Sequence, residues 1–414
     1  MRRTKNYSAN RESEFIRFCV IQAAYWGYQA ALPGFLISRM LAEGMPQTML
    51  SFVLAANMLC CFLGSVFWGR RIDREQANKK YFILCNVLCL GMGMLLYTAS
   101  KSPAWIAVLY PLYGFLTSHG ATTLDAWVII RFPERTDAVG RSRSFATLSY
   151  AVTMLWCGIL IKRLGYGVMP AAGSIFLLIS AVCAMLQRES EAMGAGSLVK
   201  GSTASEKGFS AESIKKLTES GNYMILLISV FLTGLCVQPI NNMMTVLIEN
   251  AGGDVSMIGY NSFIGCIIQA PFLLFSGKLQ RFSAQRRMQA AILAPLFYAL
   301  FCMFAKSPAL IILGGICNNI SFGLIFPAMR EITERNVARN VRNTAHALID
   351  VAYGSFAGML GLLYSGLLIG RAGIKAMLLM CLVLQAAAVI IQLRAAGIAK
   401  TPQENCEKLT AARQ

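Results

Sequence analysis

Apolar runs of hydrocarbon length recur along the chain, and they leave little choice of fold. Residues 15–39, 48–69, 81–99, 103–130, 143–164, 168–187, 221–248, 254–277, 287–305, 308–329, 342–370 and 373–394 form twelve such runs. A bilayer core roughly 30 Å thick is crossed by about 20 helical residues. Backbone in lipid must satisfy its own hydrogen bonds, so each run reads as a transmembrane helix. Composition agrees: 56% of residues are apolar and only 14% charged, where a soluble domain carries roughly 25% charged residues. The first run is too long for a signal-peptide core and has no small-residue cleavage site behind it, so it reads as a retained span. The expectation is an all-α membrane protein of twelve transmembrane helices.

A net charge of +18 raises the question of nucleic acid. The distribution of the basic residues answers it. Of the 38 Lys and Arg, 31 fall in the N-terminal tail, in the segments after the second, fourth, sixth, eighth and tenth runs, and in the C-terminal tail. The opposite side holds only Arg39, Lys101, Lys162, Arg163, Lys306, Arg371 and Lys375. This is the positive-inside pattern with both termini cytoplasmic, in a plasma (inner) membrane. The charge reports topology rather than a polyanionic partner. Twelve of the thirteen cysteines lie in or beside apolar runs, and no CxxC pair occurs. They read as small buried hydrophobes, with no metal or cofactor expected.

The polar stretch from Gln187 to Asn222, rich in Gly, Ser, Lys and Glu, reads as a flexible linker between six helices and six. The expected organisation is a bundle over 1–187, a cytoplasmic linker over 188–220, a second bundle over 221–394 and a cytoplasmic tail over 395–414. The halves echo each other. "WGRRIDREQANKK" follows the second run and "SGKLQRFSAQRR" the eighth; "RTDAVGRSRS" and "RNVARNVRNT" precede the fifth and eleventh. Each of the first pair carries a Gly read as a helix end. Internal repetition of this kind is a signature of secondary transporters, whose substrate site lies between the repeats.

Gly69, Asp73, Arg74, Lys79 and Lys80 resemble the loop 2–3 signature of the major facilitator superfamily, G-x-x-x-D-R followed by basic residues. The resemblance implies two six-helix pseudo-repeats and a conformational latch at Gly69, Asp73 and Arg74. A solvated basic turn that anchors topology is the plainer reading. "LDAW" (Leu124–Trp127), "GRSRSFATLSYA" (Gly140–Ala151), "APFLLFSGKLQRFSAQRR" and "RNTAHALIDVAYGSFAGMLG" occur in the order and spacing of the sugar, nucleoside and phenylpropionate proton symporters, the lactose-permease-like subgroup. That resemblance implies a small-molecule solute, protons as coupling ion and a monomer in the lipid bilayer.

Ionisable groups inside spans cost several kcal/mol unless paired or hydrated, so each is a candidate for function. Asp125 shares a helical face with Ser118 and Thr122, at i, i+4 and i+7. Arg141 and Arg143 open the next run, which returns antiparallel. Asp125 and Arg143 have the separation of the sugar-contacting acid–arginine pair of the lactose-permease-like symporters, which implies a substrate role for both. A charge-neutralising structural pair is the alternative. His346, Asp350 and Tyr353 repeat the i, i+4, i+7 spacing in the eleventh run. A His beside a carboxylate can titrate near neutral pH, as proton coupling requires; Asp350 could instead neutralise Arg339 and Arg342. Together with Asp125 they are the proton-coupling candidates. His119 has no acid on its face and reads as a packing hydrogen bonder.

Uncharged polar stripes complete the candidate binding set. Gln22, Tyr25, Trp26 and Gln29 precede Pro33; Gln238, Asn241, Asn242 and Thr245 surround Pro239; Asn318 and Asn319 lie in the tenth run, Tyr150 and Thr153 in the fifth. Amides and aromatics suit neutral, hydroxylated or ring-bearing solutes, although single residues of this kind also serve as interhelical hydrogen-bond glue. One departure stands out: Gln269 occupies the place, two residues before Pro271, where the symporters usually carry an acid. The function expected is secondary active transport of a small polar organic solute, by proton-coupled symport. Efflux by antiport is the alternative within transport, and a non-transporting sensor or scaffold the alternative outside it. No nucleophile–base set, HExxH or P-loop argues for an enzyme or an ATP-driven pump.

Overall fold

The computed structural model describes residues 2–135, 137–187, 217, 220–274, 281–338 and 341–411. The helices are α1 (Arg2–Ala31), α2 (Pro33–Ala42), α3 (Gln47–Glu75), α4 (Asn78–Ala99), α5 (Pro103–Thr117), α6 (Gly120–Arg131), α7 (Ala138–Leu164) and α8 (Val168–Met185). They continue as α9 (Gly221–Asn242), α10 (Met244–Asn250), α11 (Val255–Leu274), α12 (Ala284–Met303), α13 (Pro308–Asn336), α14 (Arg342–Val351), α15 (Ala357–Ala372) and α16 (Ile374–Ala411). A widened π turn, Ala352–Phe356, joins α14 to α15. No strand occurs among the described residues.

Every apolar run falls on these helices as far as its residues are described. Four are broken: at Leu32, at Ser118–His119, at Met243 and at the π turn. Nine helical segments among the described residues are long and apolar enough to cross a membrane. The second run is longer than its apolar part suggests. α3 continues through Gly69 to Glu75 and ends where Gln76 takes left-handed backbone, φ 51°. The Gln76 N–H reaches Ile72 O at 2.7 Å and its side-chain amide donates to Asp73 O at 2.6 Å, which compensates locally for the unusual conformation.

The chain gathers into two compact units, Met1–Leu198 with Met244–Cys266, and Val199–Met243 with Ile267–Gln414. The first is centred on aromatic packing of α1 with α4 and α6: Phe18 meets Trp127 edge-on at 4.9 Å, and Tyr25 lies 5.6 Å from Phe82. Gly120 allows this approach, since a Cβ there would lie 2.3 Å from the Tyr25 hydroxyl. Also within this unit, Asp254 caps α11 by accepting the Ser256 N–H at 2.8 Å, and Lys162 Nζ stands 2.6 Å from its other oxygen. Lys162 first, then Ser256, holds the Asp254 carboxyl below the usual carboxylate range.

The second unit is built around Tyr223, Met288, Ile292, Met329, Ile349 and Tyr353. Its prolines show how helices survive interruption in lipid. Pro239 has no N–H for Leu235 O, and the hydroxyl of Tyr364 donates to that carbonyl instead at 2.8 Å. Gly361 admits the proline ring, for a Cβ there would lie 2.5 Å from Pro239 Cγ. Pro295 likewise frees Ala291 O, and Ser321 Oγ donates to it at 2.5 Å.

Ser321→Ala should therefore lower stability in detergent by about 0.6–1.7 kcal/mol, the range for hydrogen bonds between membrane helices. In a Pro295→Ala background, where the regained N–H takes over Ala291 O, thermal unfolding should show the same substitution costing little. Asp254 supplies a pH prediction. A depressed carboxyl stabilises the fold above its unfolded value, about 3.9, and the contribution is lost as pH falls through the folded value. Lys162 and Asp254 are 56% and 40% exposed, so screening keeps the contribution below about 1 kcal/mol. Asp254→Asn should lower the unfolding temperature slightly at neutral pH, and the gap should close in acid or in high salt.

Candidate functional site

The first unit brings Asp125 and Arg143 together as the sequence suggests. α6 and α7 form an antiparallel hairpin, so two residues 18 apart meet near its closed end. Arg143 Nε donates to Asp125 Oδ1 at 3.1 Å and Oδ2 at 3.0 Å, and Nη2 also donates to Oδ2. Gln22 Nε2 on α1 adds a third donor group, 2.9 Å from Oδ1. A carboxylate with this many donors is compensated for leaving water. The guanidinium also stands 5.5 Å from the Trp26 ring, and Trp26 meets Tyr150 edge-on at 6.2 Å.

Two atoms of this cluster are unsatisfied. Gln22 Oε1 and Trp26 Nε1 are buried with no hydrogen-bond partner among the described residues. They sit one turn apart on α1, an acceptor and a donor beside a fixed ion pair. Such an arrangement can recognise a hydroxylated or ring-bearing molecule, because a buried polar atom left unpaired costs about 1–3 kcal/mol that a ligand can recover. Tyr25 does not join the cluster: it is buried in the aromatic core and accepts Gln29 Nε2 at 3.1 Å. The outer arginines are also engaged. Arg131 Nε bonds Glu14 at 2.6 Å and Arg135 Nη2 bonds Glu12 at 2.5 Å. His119 lies at the α5–α6 break, buried, with Nε2 3.2 Å from Tyr81 O and its ring 4.9 Å from Trp68. Those are packing contacts.

In the second unit the amides divide. Asn241 Oδ1 accepts from Tyr298 at 2.9 Å and from Asn318 Nδ2 at 3.1 Å. Tyr298 was not legible as a partner, since it lies in an otherwise apolar stretch of α12. Asn242 and Asn319 bond instead to carbonyls one turn back on their own helices, Gln238 O and Gly315 O, each at 2.8 Å. Gln238 Nε2 approaches Tyr353 O at 3.4 Å, where the π turn widens the backbone. Gln269 is half-buried on α11, two residues before Pro271.

His346 and Asp350 share a face of α14, but neither is the other's partner. Asp350 pairs with Arg330 at 2.5 Å, and His346 Nε2 lies 2.9 Å from Glu334, which also takes Arg342 at 2.6 Å. Arg330 and Glu334 are likewise four residues apart, so α13 and α14 form a two-rung antiparallel ladder. The neutraliser of Asp350 is thus Arg330, not the Arg342 nearer in sequence; Arg339 lies outside the described residues. The charged end of α13, "MREITER", was the available signal. At the proposed latch, Gly69 is inside α3, and Asp73 makes no ion pair among the described residues. The charge cluster there is Arg71 and Lys80 on Glu75, at 3.2 and 2.9 Å.

The Arg330–Asp350 rung is about half exposed, 47% and 41%. A double-mutant cycle on Arg330→Gln and Asp350→Asn, read by thermal unfolding, should give a coupling energy of about 0.2–1 kcal/mol that shrinks with added salt.

Residues 23–380 match the MFS_1 like family. Among curated proteins the chain is similar to an uncharacterized transporter, YwbF, of Bacillus subtilis (strain 168), 23% identical over 80% of this chain and 84% of the relative. It is also similar to a maltose permease of Geobacillus stearothermophilus, 22% identical over 86% and 87%. Among solved structures, the nucleoside transporter NupG superposes with a TM-score of 0.71 at 14% identity, over 94% of this chain and 98% of that one. A bacterial homolog of the human lysosomal transporter Spinster gives 0.66 at 13%, over 94% and 95%. These structures share the all-helical fold described above. The family match covers most of the sequence, and the chain belongs to the MFS_1 like family of major-facilitator membrane transporters.

Proposed function

We propose that this transporter moves a small polar organic solute of the sugar, nucleoside or aromatic-acid class by alternating access, as a proton symporter. The observation that carries the reading is the Asp125–Arg143 pair, with the unpartnered Gln22 Oε1 and Trp26 Nε1 beside it. Arg143 would orient solute hydroxyls while Asp125 holds the guanidinium in place. Trp26 and Tyr150 would stack against a ring, and Gln22 would accept from a hydroxyl. Asn241 and Asn318, bonded to each other within the second unit, are further candidate solute contacts. A maltose permease and a nucleoside transporter among the similar proteins support a hydroxylated solute.

For coupling, Asp125, His346 and Asp350 are the candidate proton carriers, since Gln269 cannot ionise. In this reading the chain is organised as six helices and six around a cytoplasmic linker, with both termini cytoplasmic in the plasma membrane. It works as a monomer. Gly69, Asp73 and Arg74, with the Arg71–Glu75–Lys80 cluster alongside, would latch one conformational state.

Uptake of sugars, nucleosides and aromatic acids into proteoliposomes under an imposed pH gradient tests the proposal. An accepted solute should accumulate with the gradient, and indifference to it would remove proton coupling. Asp125→Asn and Arg143→Lys should each reduce uptake at least roughly tenfold while the protein still inserts, because the bidentate fork is lost. Wild-type uptake by both variants would take the pair out of the site. Binding of a solute with no counterflow would instead favour a sensor.

A further inference from the structure

Met244–Cys266 packs with the first unit, although the chain on both sides of it belongs to the second. The stretch begins after the Met243 break with α10, a helix of seven residues. So short a helix is marginal by itself, and its hold comes from docking. Met244 through Ile248 are all buried, and α10 packs against α2. Behind it α11 lies close on α7, where a Cβ on Gly259 would stand 2.4 Å from Met154 O. A segment docked on one unit and tethered by chain to the other at both ends can change its docking during a transport cycle.

Two carboxylates in this stretch are compensated unequally. Asp254 has Lys162 and Ser256. Glu249, in the last turn of α10, is half-buried and has a hydroxyl: Ser38 Oγ on α2 donates to its Oε1 at 3.3 Å. Ser38 is itself buried, 2.8 Å from the hydroxyl of Tyr166. No cation pairs with Glu249 among the described residues, because those nearby are engaged elsewhere. Arg39 bonds Glu43 at 3.0 Å and Ser100 at 2.8 Å and lies over the Tyr97 ring, while Lys162 serves Asp254. Asn250, next to Glu249, faces the neutral Gln47. Burial therefore raises the Glu249 carboxyl above the usual carboxylate range, and the Ser38 hydroxyl offsets this only in part.

We propose that Glu249 is a proton-binding site that controls this docking: with its proton it holds α10 on α2, and without it α10 comes away. A neutral carboxyl is at ease beside Ser38 and Tyr166. An ionised one, left with a single long hydrogen bond, is stabilised by moving into water, which requires α10 to undock. The docked form thus binds the proton more tightly, and by reciprocity the proton favours the docked form. Docking is strongest in acid and weakens as pH rises from the ordinary glutamate value, about 4.3, through the raised value of the docked state. This site is separate from Asp125, His346 and Asp350. In the orientation proposed above it faces away from the cytoplasm, so the proton comes from outside.

The test is hydrogen–deuterium exchange of the 244–250 segment, in the full chain held in lipid nanodiscs, from about pH 5 to about pH 8. Each rate is referred to that of an unstructured peptide at the same pH, and no solute is needed. Wild-type protection should fall several-fold as pH rises. Glu249→Gln, which keeps the neutral form, should hold the acid level of protection throughout. Ser38→Ala removes the hydroxyl that favours the ionised form, so it should deepen the fall, and it carries the test if Glu249→Gln fails to insert. Asp254→Asn should lower protection by the same factor at both ends of the range. Protection indifferent to pH in the wild type, or a wild-type fall in Glu249→Gln or Ser38→Ala, would overturn the assignment. A fall abolished by Asp254→Asn would move the proton to Asp254 and overturn it as well.

Discussion

Hydrocarbon offers no water to a stray backbone group, and the rest of this structure follows from that constraint. It makes every described element helical, and it turns each interruption into a tertiary problem. Pro239 and Pro295 each strip a carbonyl of its helical partner, and each carbonyl is recovered by a hydroxyl from another helix, Tyr364 and Ser321. The prolines are thus tolerated by arrangement with neighbours rather than by local sequence. The π turn at Ala352–Phe356 is the same kind of bargain, with the Gln238 side chain approaching Tyr353 O.

The charged groups obey the same logic. Asp125 is acceptable inside its helix because Arg143 and Gln22 together meet both of its oxygens. Its surroundings are incompletely satisfied, and the shortfall falls on two atoms one turn apart, Gln22 Oε1 and Trp26 Nε1. The α13–α14 ladder differs in kind. Its rungs are more exposed, so they hold two helices in register at modest energetic value.

The candidate site was legible in part, and the part has a physical explanation. Asp125 and Arg143 could be paired from sequence because a short turn between antiparallel helices makes nearby residues spatial neighbours. His346 and Asp350 were correctly placed on one face, but spacing along one helix says nothing about which other helix it meets. Their partners, Glu334 and Arg330, come from α13. Tyr25 shows the converse failure. It repeats with Gln22 and Gln29 closely enough to suggest a common stripe, yet Gly120 opens a recess that draws it into the aromatic core.

The sequence by itself determined the membrane setting and the helical class. Both depend on the length and apolar content of contiguous segments, which are one-dimensional quantities. It also marked which ionisable residues lie in spans, since that needs only their position in a run. Tertiary structure decided who satisfies whom: which amides bond across helices and which fold back on their own, which carbonyls the hydroxyls rescue, and which buried atoms remain open. Those outcomes depend on distances of a few tenths of an ångström between helices remote in sequence, and no pattern along the chain encodes them.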